Sequence, residues 1–297
     1  MRRAALIYNP TSGRQRHAQT LDAIMANLRR GGFDIEPAPT AYPGQAEELA
    51  RERAETGDFE AVIAYGGDGT AREVAAGLLG TPVTLGVLPG GTANLLALAL
   101  GLPRDPIAAA AVLGETPARP IDVGIAGETP FLMMASAGLD ASVLATLDTR
   151  LKWRFGKPWI VTHSLIQWWS YHYSPLEVTV DGETLEASFA AVSNIPFYGG
   201  PFRMAPQAQP DSGFLELIAF RGTGRMATLS FALDLLRGSA HVKRKDVIVR
   251  RVKEVLIGGP EGVAAQIDGD LCQETLPLRV RLAEDRLSVL APKAPGL

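Results

Sequence analysis

The fold is decided by the sequence AVIAYGGDGT at residues 61–70. Its first five residues are apolar, which predicts a strand buried on both faces of a sheet, and the glycines predict a tight turn into a helix near 70–79. The same order recurs at residues 83–92, VTLGVLPGGT, where another apolar strand ends in a glycine-rich turn and a helix is predicted from about residue 92. Strands that alternate with helices pair in parallel, so this region predicts a doubly wound α/β sheet.

The pattern on either side of this stretch defines the domains. Strands at 4–8 and 33–37 and a helix at 45–55 continue the alternation, which predicts an α/β domain over 1–120. Beyond it, short strands predict a β-rich domain, a sandwich, over 121–286, and 287–297 forms a strand and tail that could return to the first domain. Helices at about 157–171 and 223–236 interrupt the strands. Hairpin turns are predicted at 127–128, 181–182, 211–213, 258–262 and 268–269.

Composition limits the class of protein. The chain has 297 residues, 46% hydrophobic and 21% charged, which predicts about two globular domains. Its net charge of −3 argues against a surface built for nucleic acid. The single cysteine, Cys272, cannot form an internal disulfide, and the longest apolar run is too short to span a membrane. We therefore expect a cytoplasmic protein; the pattern specifies no oligomeric state.

Both glycine-rich turns follow the carboxyl end of a predicted parallel strand, where α/β sheets bind their ligands. The next helix offers N–H groups and a positive dipole end, which favour a phosphate group. Neither turn is a Walker loop, and Arg72 occupies the third glycine position of the dinucleotide motif. Asp68 would repel a bare phosphate, which favours a magnesium nucleotide; the alternative is a tight turn that Asp68 stabilises. Thr70 and Glu73 also match a helix capping box.

An ordered set of motifs resembles the diacylglycerol kinase catalytic-domain family, which includes bacterial lipid kinases, sphingosine kinases and ceramide kinases. The motifs cover nearly the whole chain: NPTSG at 9–13, TAYPGQA at 40–46, GGDGT at 66–70, PGGTAN at 89–94, NIPFYGG at 194–200, AP at 205–206 and DGD at 268–270. The resemblance implies an N-terminal nucleotide-binding domain, a C-terminal β-sandwich for the lipid substrate, and ATP bound between them. It also implies transfer of the γ-phosphoryl group of ATP to a hydroxyl of diacylglycerol, a sphingoid base or ceramide.

The resemblance also implies which residues contact the nucleotide, which would carry Mg²⁺. Arg14 and Arg16 are further candidates for phosphate contacts; the alternative is that they are solvent-exposed residues of a helix. Leu95-Leu96 departs from the family, since many relatives carry Asp followed by an aromatic residue there. The implied nucleotide contacts are Asn9, Thr40, Gly66, Gly67, Asp68, Gly69, Thr70, Ala71, Arg72 and Thr92.

Two Asp-Gly turns, at 181–182 and 268–269, compete for the carboxylate that accepts the proton of the attacking hydroxyl. Both fit a hairpin turn equally well, and the resemblance selects Asp268. Asp270 stands where such families usually carry Glu. The family also has an accessory magnesium site, which here corresponds to Gln209, Asp211, Ser212 and Phe214, with Ser212 where a ligating Asp is expected.

Residues 150–173 form a basic and aromatic stretch. It contains no Asp or Glu, and all four tryptophans of the chain lie in it. Such a composition predicts peripheral contact with the inner face of a membrane; the alternative is an amphipathic helix whose aromatic side chains belong to the core. Two other functions stay open at this point: a soluble-substrate kinase of the NAD kinase type, and a nucleotide- or lipid-sensing module without activity.

Overall fold

The computed structural model describes residues 1–10, 17–147 and 157–292. The chain divides into two compact units. The first consists of Met1–Val123 together with Ala283–Leu297, and the second of Gly124–Leu282. The chain therefore leaves the first unit once and returns to it after the second.

The first unit is built on a six-stranded sheet. Its strands are β1 (Arg2–Tyr8), β2 (Phe33–Pro39), β3 (Ala61–Gly66), β4 (Thr84–Pro89), β5 (Ala118–Ile121) and β20 (Leu287–Leu290). They lie in the order β2-β1-β3-β4-β20-β5. Neighbouring strands are parallel, except that β5 runs antiparallel to β20. The strands at its centre are buried because their side chains are apolar on both faces, as the uninterrupted apolar runs predict.

Five helices are described in the first unit: α1 (His17–Arg30), α2 (Gln45–Glu55), α3 (Asp68–Leu78), α4 (Leu95–Ala99) and α5 (Pro106–Leu113). The last of them was not predicted from the sequence, and it has a side-chain cap. The Asp105 carboxylate accepts the Ala108 N–H at 2.8 Å, and Pro106 occupies the first helical position.

The predicted capping box at Thr70 and Glu73 is wrong. Helix α3 begins at Asp68, with Gly67 as its N-cap, so Thr70 already lies within the first turn. Helix α4, expected from about residue 92, begins only at Leu95. Asn94 delays it because its φ is +50° and its side chain closes a turn onto Gly91, accepting the N–H and donating to the carbonyl.

The second unit contains two six-stranded antiparallel sheets. Their strands are β6 (Gly124–Ala126), β7 (Thr129–Phe131), β8 (Met134–Ala137), β9 (Leu176–Val180), β10 (Glu183–Ala187), β11 (Phe189–Ser193), β14 (Leu215–Phe220), β15 (Val247–Val252), β16 (Glu254–Gly258), β17 (Ala265–Ile267), β18 (Asp270–Leu271) and β19 (Leu278–Leu282). One sheet has the order β10-β9-β16-β19-β6-β7, and the other β15-β14-β11-β8-β17-β18. The remaining elements are a small ribbon of β12 (Phe197–Tyr198) and β13 (Phe202–Arg203), the helices α6 (Leu139–Thr146), α7 (Lys157–Ser170) and α8 (Arg225–Leu236), and a 3₁₀-helix (Ala240–Lys243).

The two sheets pack face to face, which confirms the predicted sandwich. Strand β14 shows the arrangement: Leu215 and Leu217 point into the core shared by both sheets, whereas Ile218 and Phe220 point to the outer face. That outer face is covered by α8, whose Phe231 ring stacks on Phe220 with centroids 4.6 Å apart. The predicted fold class, a mostly parallel α/β domain followed by a β-sandwich, is therefore confirmed.

Three of the five predicted hairpins form. The turns at 127–128, 181–182 and 268–269 connect paired strands. The other two predictions are wrong. Residues 258–262 connect a strand of one sheet to a strand of the other, and residues 211–213 precede β14, which pairs with β11 and β15, without closing a hairpin. Glycine and aspartate identify a chain reversal, but burial of the sheet faces decides which strands then pair.

Candidate functional site

The carboxyl edge of the first sheet collects the candidates that lie in different parts of the sequence. Because β2, β1, β3 and β4 are parallel neighbours, their carboxyl ends share one edge. Asn9 follows β1, and Thr40 follows β2 and donates its backbone N–H to the Tyr8 carbonyl at 2.9 Å. Gly66 ends β3, and Thr92 follows β4 in an exposed position. Arg14 and Arg16 lie outside the described residues.

The two glycine-rich turns at this edge touch through their backbones. The Gly90 N–H donates to the Gly66 carbonyl at 2.7 Å. A Cβ atom on Gly91 would lie only 2.6 Å from the Gly67 Cα, closer than real side chains come. Gly91 therefore needs to be glycine for the turns to touch, and the two turns together form one continuous surface made mostly of backbone.

The N-terminus of α3 opens onto this surface. Its N-cap residue, Gly67, has no side chain, so the N-cap position supplies no side-chain acceptor for the N–H groups of the first turn. Thr70 packs its side chain over Gly66, Ala71 is buried, and Gly69 and Arg72 are half-buried on the first turn. Bare backbone at a helix N-terminus fits a phosphate group.

Asp68 binds the backbone of the second turn region. Its two carboxylate oxygens accept the N–H groups of Leu95 and Leu96, at 3.0 and 3.1 Å, where α4 begins. Burial raises the pKa of Asp68, and the N–H donors oppose that shift. The stabilising role left open by the sequence is thus present, since Asp68 ties the start of α3 to the start of α4.

Asp268 in the second unit is held more tightly than a hairpin aspartate normally is. It occupies the β17–β18 turn with φ +52°, and its carboxylate accepts three backbone N–H groups, from Leu132 at 2.8 Å and from Met133 and Met134 at 2.9 Å. The residue is only 7% exposed, whereas Asp181 in the corresponding β9–β10 turn is exposed. Three donors fix the carboxylate in place.

A polar cluster beside this turn was not predicted from the sequence. Asp140, at the start of α6, accepts hydrogen bonds from Ser136 at 2.5 Å and, at longer range, from Gln266 and Tyr198. Burial raises the pKa of Asp140; burial and then the Asp140 charge raise the pKa of Tyr171 to about 12. The available signal was that Asp140 is the only charged residue between positions 129 and 147.

The loop expected to hold accessory magnesium is closed by hydrogen bonds of its own. Ser212 donates its N–H to the Gln209 carbonyl at 3.2 Å and its hydroxyl to the Phe214 carbonyl at 3.0 Å. Each carbonyl oxygen keeps a second lone pair that a cation could use, so the accessory site stays a prediction. Asp211 is exposed, and a neutral serine replaces the carboxylate expected of the family. Within the described ranges, no group of three or more His, Cys, Asp or Glu side chains is placed to hold a metal ion.

The aromatic stretch is partly packed and partly exposed where the structure describes it. Trp168 donates its indole N–H to the Arg225 carbonyl at 2.9 Å, which joins the end of α7 to the start of α8. Trp169 is 62% exposed, with the Arg225 guanidinium 4.3 Å from its ring centroid. Among the helices whose residues are described, none is long and apolar enough to cross a membrane.

Together, the fold and the glycine-rich edge define a class of two-domain proteins that join a parallel α/β unit to a β-sandwich. Within this class, residues 3–126 match the diacylglycerol kinase catalytic domain, and residues 133–291 match the YegS C-terminal NAD kinase beta sandwich-like domain. The chain belongs to the diacylglycerol kinase catalytic-domain family, which confirms the resemblance seen in its motifs.

Three similar proteins match along almost their whole length. The chain is 30% identical over 275 residues to the diacylglycerol kinase of Bacillus subtilis, covering 91% of this chain and 90% of the relative. It is 30% identical over 292 residues to a YegS-like lipid kinase of Chromohalobacter salexigens, with 96% and 93% covered. A crystal structure from Bacillus anthracis str. Sterne, assigned as a diacylglycerol kinase, superposes with a TM-score of 0.83 at 26% identity, covering 98% and 96% of the two chains.

Membership of this family has direct chemical implications. A kinase family indicates a phosphotransferase that uses ATP, and the lipid kinases within it indicate a lipid substrate.

Proposed function

We propose that the protein is an ATP-dependent lipid kinase that phosphorylates a hydroxyl group of diacylglycerol, a sphingoid base or ceramide. The observation that carries the proposal is the pair of glycine-rich turns packed backbone to backbone at the N-terminus of α3. Such a surface can approach a polyphosphate closely and meet it with N–H donors.

The nucleotide would lie along the carboxyl edge of the first sheet. The backbone of residues 66–72 and the exposed Thr92 would contact the phosphates, with Asn9 and Thr40 further along the edge. Mg²⁺ that arrives with ATP would neutralise part of the phosphate charge. Asp68 would act mainly by fixing the two turns relative to each other, because both of its oxygens bind the backbone of α4.

Asp268 would serve the acceptor hydroxyl. Phosphoryl transfer needs an aligned nucleophile and a base for its proton, rather than covalent chemistry by the protein. The hydroxyl oxygen bonds to the γ-phosphorus, the bond from that phosphorus to the ADP oxygen breaks, and the hydroxyl proton passes to the Asp268 carboxylate. A carboxylate that three N–H groups hold in one position suits this role.

Transfer of labelled phosphate from ATP to an extracted lipid mixture, followed by product identification, tests the proposal. We expect a labelled lipid with the wild-type protein and with Asp181→Asn, in which only an exposed turn changes. Asp268→Asn should abolish turnover while ATP still binds. Label on NAD but on no lipid would instead indicate an NAD kinase, and ATP binding without transfer would indicate a sensing module.

We further propose that residues 150–173 contact the membrane that carries the lipid. Supporting this, Leu165, Ile166 and Trp169 form one exposed stripe along α7, and Arg225 lies against the Trp169 ring. Apolar side chains beside an aromatic ring and a cation suit the interface of an anionic bilayer. On the neighbouring α8, Met226 is 73% exposed and would extend the apolar surface.

Sedimentation with vesicles tests the membrane contact. Binding to vesicles that contain phosphatidylglycerol should exceed binding to phosphatidylcholine alone, and salt should weaken it. Leu165→Ser should reduce binding, whereas Leu256→Ser, which alters an exposed leucine of β16, should not. Binding indifferent to lipid charge and to salt would refute the contact.

A further inference from the structure

A chain of hydrogen bonds runs from Asp140 to the turn that carries Asp268. Ser136 donates its hydroxyl to the Asp140 carboxylate at 2.5 Å, and the Gln266 side-chain NH₂ donates to the Ser136 oxygen at 2.7 Å. At its other end, the Gln266 carbonyl oxygen accepts the Gly269 N–H at 2.8 Å. Ser136 and Gln266 face each other on paired strands β8 and β17, so the sheet register itself brings the chain together.

The Gln266 amide can make these contacts in one orientation only. Its NH₂ group must face the acceptors Ser136 and Asp140, and its oxygen must face the Gly269 N–H. A flipped amide would set its oxygen against the Asp140 carboxylate and its NH₂ against another donor. The Gly269 N–H and the Asp140 carboxylate therefore both select this orientation of Gln266, and Gln266 in turn holds the turn.

The turn has reason to need such support. Asp268 and Gly269 both have positive φ, +52° and +88°, and Gly269 is exposed, so solvent competes for its N–H. By contrast, Ser136 and Gln266 are fully buried. The network thus anchors an exposed, left-handed backbone segment to the interior of the sheet.

We infer that Asp140 is a positioning residue of the phosphoryl-transfer site, which acts through Ser136 and Gln266 to hold the Asp268–Gly269 turn in place. This inference rests on the proposed function, because it gains its meaning from the role of Asp268. The groups seen to hold Asp140 are neutral donors: the hydroxyls of Ser136 and Tyr198, the amide of Gln266 and the Ala141 N–H. Because all of these groups donate, the Asp140 carboxylate acts as an acceptor, and the NH₂ group of Gln266 must therefore face it.

Amide hydrogen exchange measured by NMR tests the coupling without reference to activity. Asp140→Ala and Gln266→Leu should each accelerate exchange of the Gly269 amide by about fivefold or more, the effect of losing one hydrogen bond. The Gly182 amide, in the corresponding turn of β9–β10, should be unchanged and serves as the control. Unchanged Gly269 exchange in Asp140→Ala would overturn the inference.

Kinetics test the link to transfer. Asp140→Ala should lower kcat about tenfold with little change in the KM for ATP, and Asp140→Asn should recover part of the loss because its amide oxygen can accept from Ser136. Combined with Gln266→Leu, Asp140→Ala should cost nothing further, as expected of residues on one path. Fully additive losses would overturn the inference. Faster Gly269 exchange in a protein that transfers no phosphate would uphold the coupling and refute the proposed function instead.

Discussion

The substitution Asp268→Asn separates the structural role of this residue from its proposed chemical one. In the folded protein the carboxylate satisfies the N–H groups of Leu132, Met133 and Met134. Asparagine keeps one acceptor oxygen, which can serve Met133 and Met134, but its NH₂ group then faces the Leu132 N–H. A buried donor loses its partner, and the remaining bonds lose their charge, so we expect unfolding to become easier by about 2–3 kcal/mol.

Tryptophan fluorescence during urea unfolding measures this loss of stability in the second unit, which contains Asp268. All four tryptophans lie between residues 153 and 169, within the second unit. Asp181→Asn is the matched control: its turn also has positive φ at Asp and Gly, but the residue is exposed, so a change within about 0.5 kcal/mol is expected. Equal midpoints for the two variants would refute the argument that the three N–H contacts stabilise the fold.

Three further predictions concern other contacts. Gly91→Ala should lower stability by about 1–3 kcal/mol in calorimetry, because its methyl group would meet the Gly67 Cα at 2.6 Å. Gly67→Ala should cost only about 0.5–1 kcal/mol, as an N-cap change, because its methyl group would lie 3.6 Å from the Gly91 Cα. A larger loss in Gly67→Ala than in Gly91→Ala would contradict the packing of the turns. Asp105→Ala should cost about 1 kcal/mol in thermal unfolding followed by circular dichroism, since it removes the cap of α5. Arg244 lowers the pKa of Asp246, so the stability that this pair contributes is present above the unfolded pKa, near 4, and is lost as pH falls through the lower folded pKa. In urea titrations between pH 3 and 6, Arg244→Gln should remove that part of the acid sensitivity, and an unaltered profile would contradict the assignment.

The first unit could be predicted well from the sequence because its signals are local. The apolar run at 61–65 followed by two glycines needs no distant partner to specify a buried strand and a turn, and α2 has the predicted bounds of 45–55. The carboxyl edge follows from the parallel pairing that such alternation implies. Asn9 and Thr40 are named by the resemblance alone, and the structure shows that they follow β1 and β2 at this edge.

What the sequence could not predict depends on contacts between distant segments. The glycines at 66–67 and 90–91 predict turns, but not that the turns press on each other; that follows from the pairing of β3 with β4. Asp140 and Gln266 are 126 positions apart and carry no motif, and only the β8–β17 register brings them together. The capping-box error at Thr70 has a different cause, because the local pattern matched a cap but the helix begins two residues earlier, at Asp68.

Asp68 and Asp268, the aspartates of the GGDGT and DGD motifs, have a feature in common that bears on how function should be tested. Asp68 binds the first N–H groups of α4, and Asp268 binds three N–H groups where β8 begins, so each fixes a neighbouring segment of backbone. The sequence left a stabilising and a chemical role as alternatives, yet fixing a carboxylate in this way is also what prepares it for catalysis. A loss of turnover in Asp268→Asn therefore supports a chemical role only if the variant is still folded at the assay temperature and the loss exceeds that produced by an equally destabilising change elsewhere in the second unit.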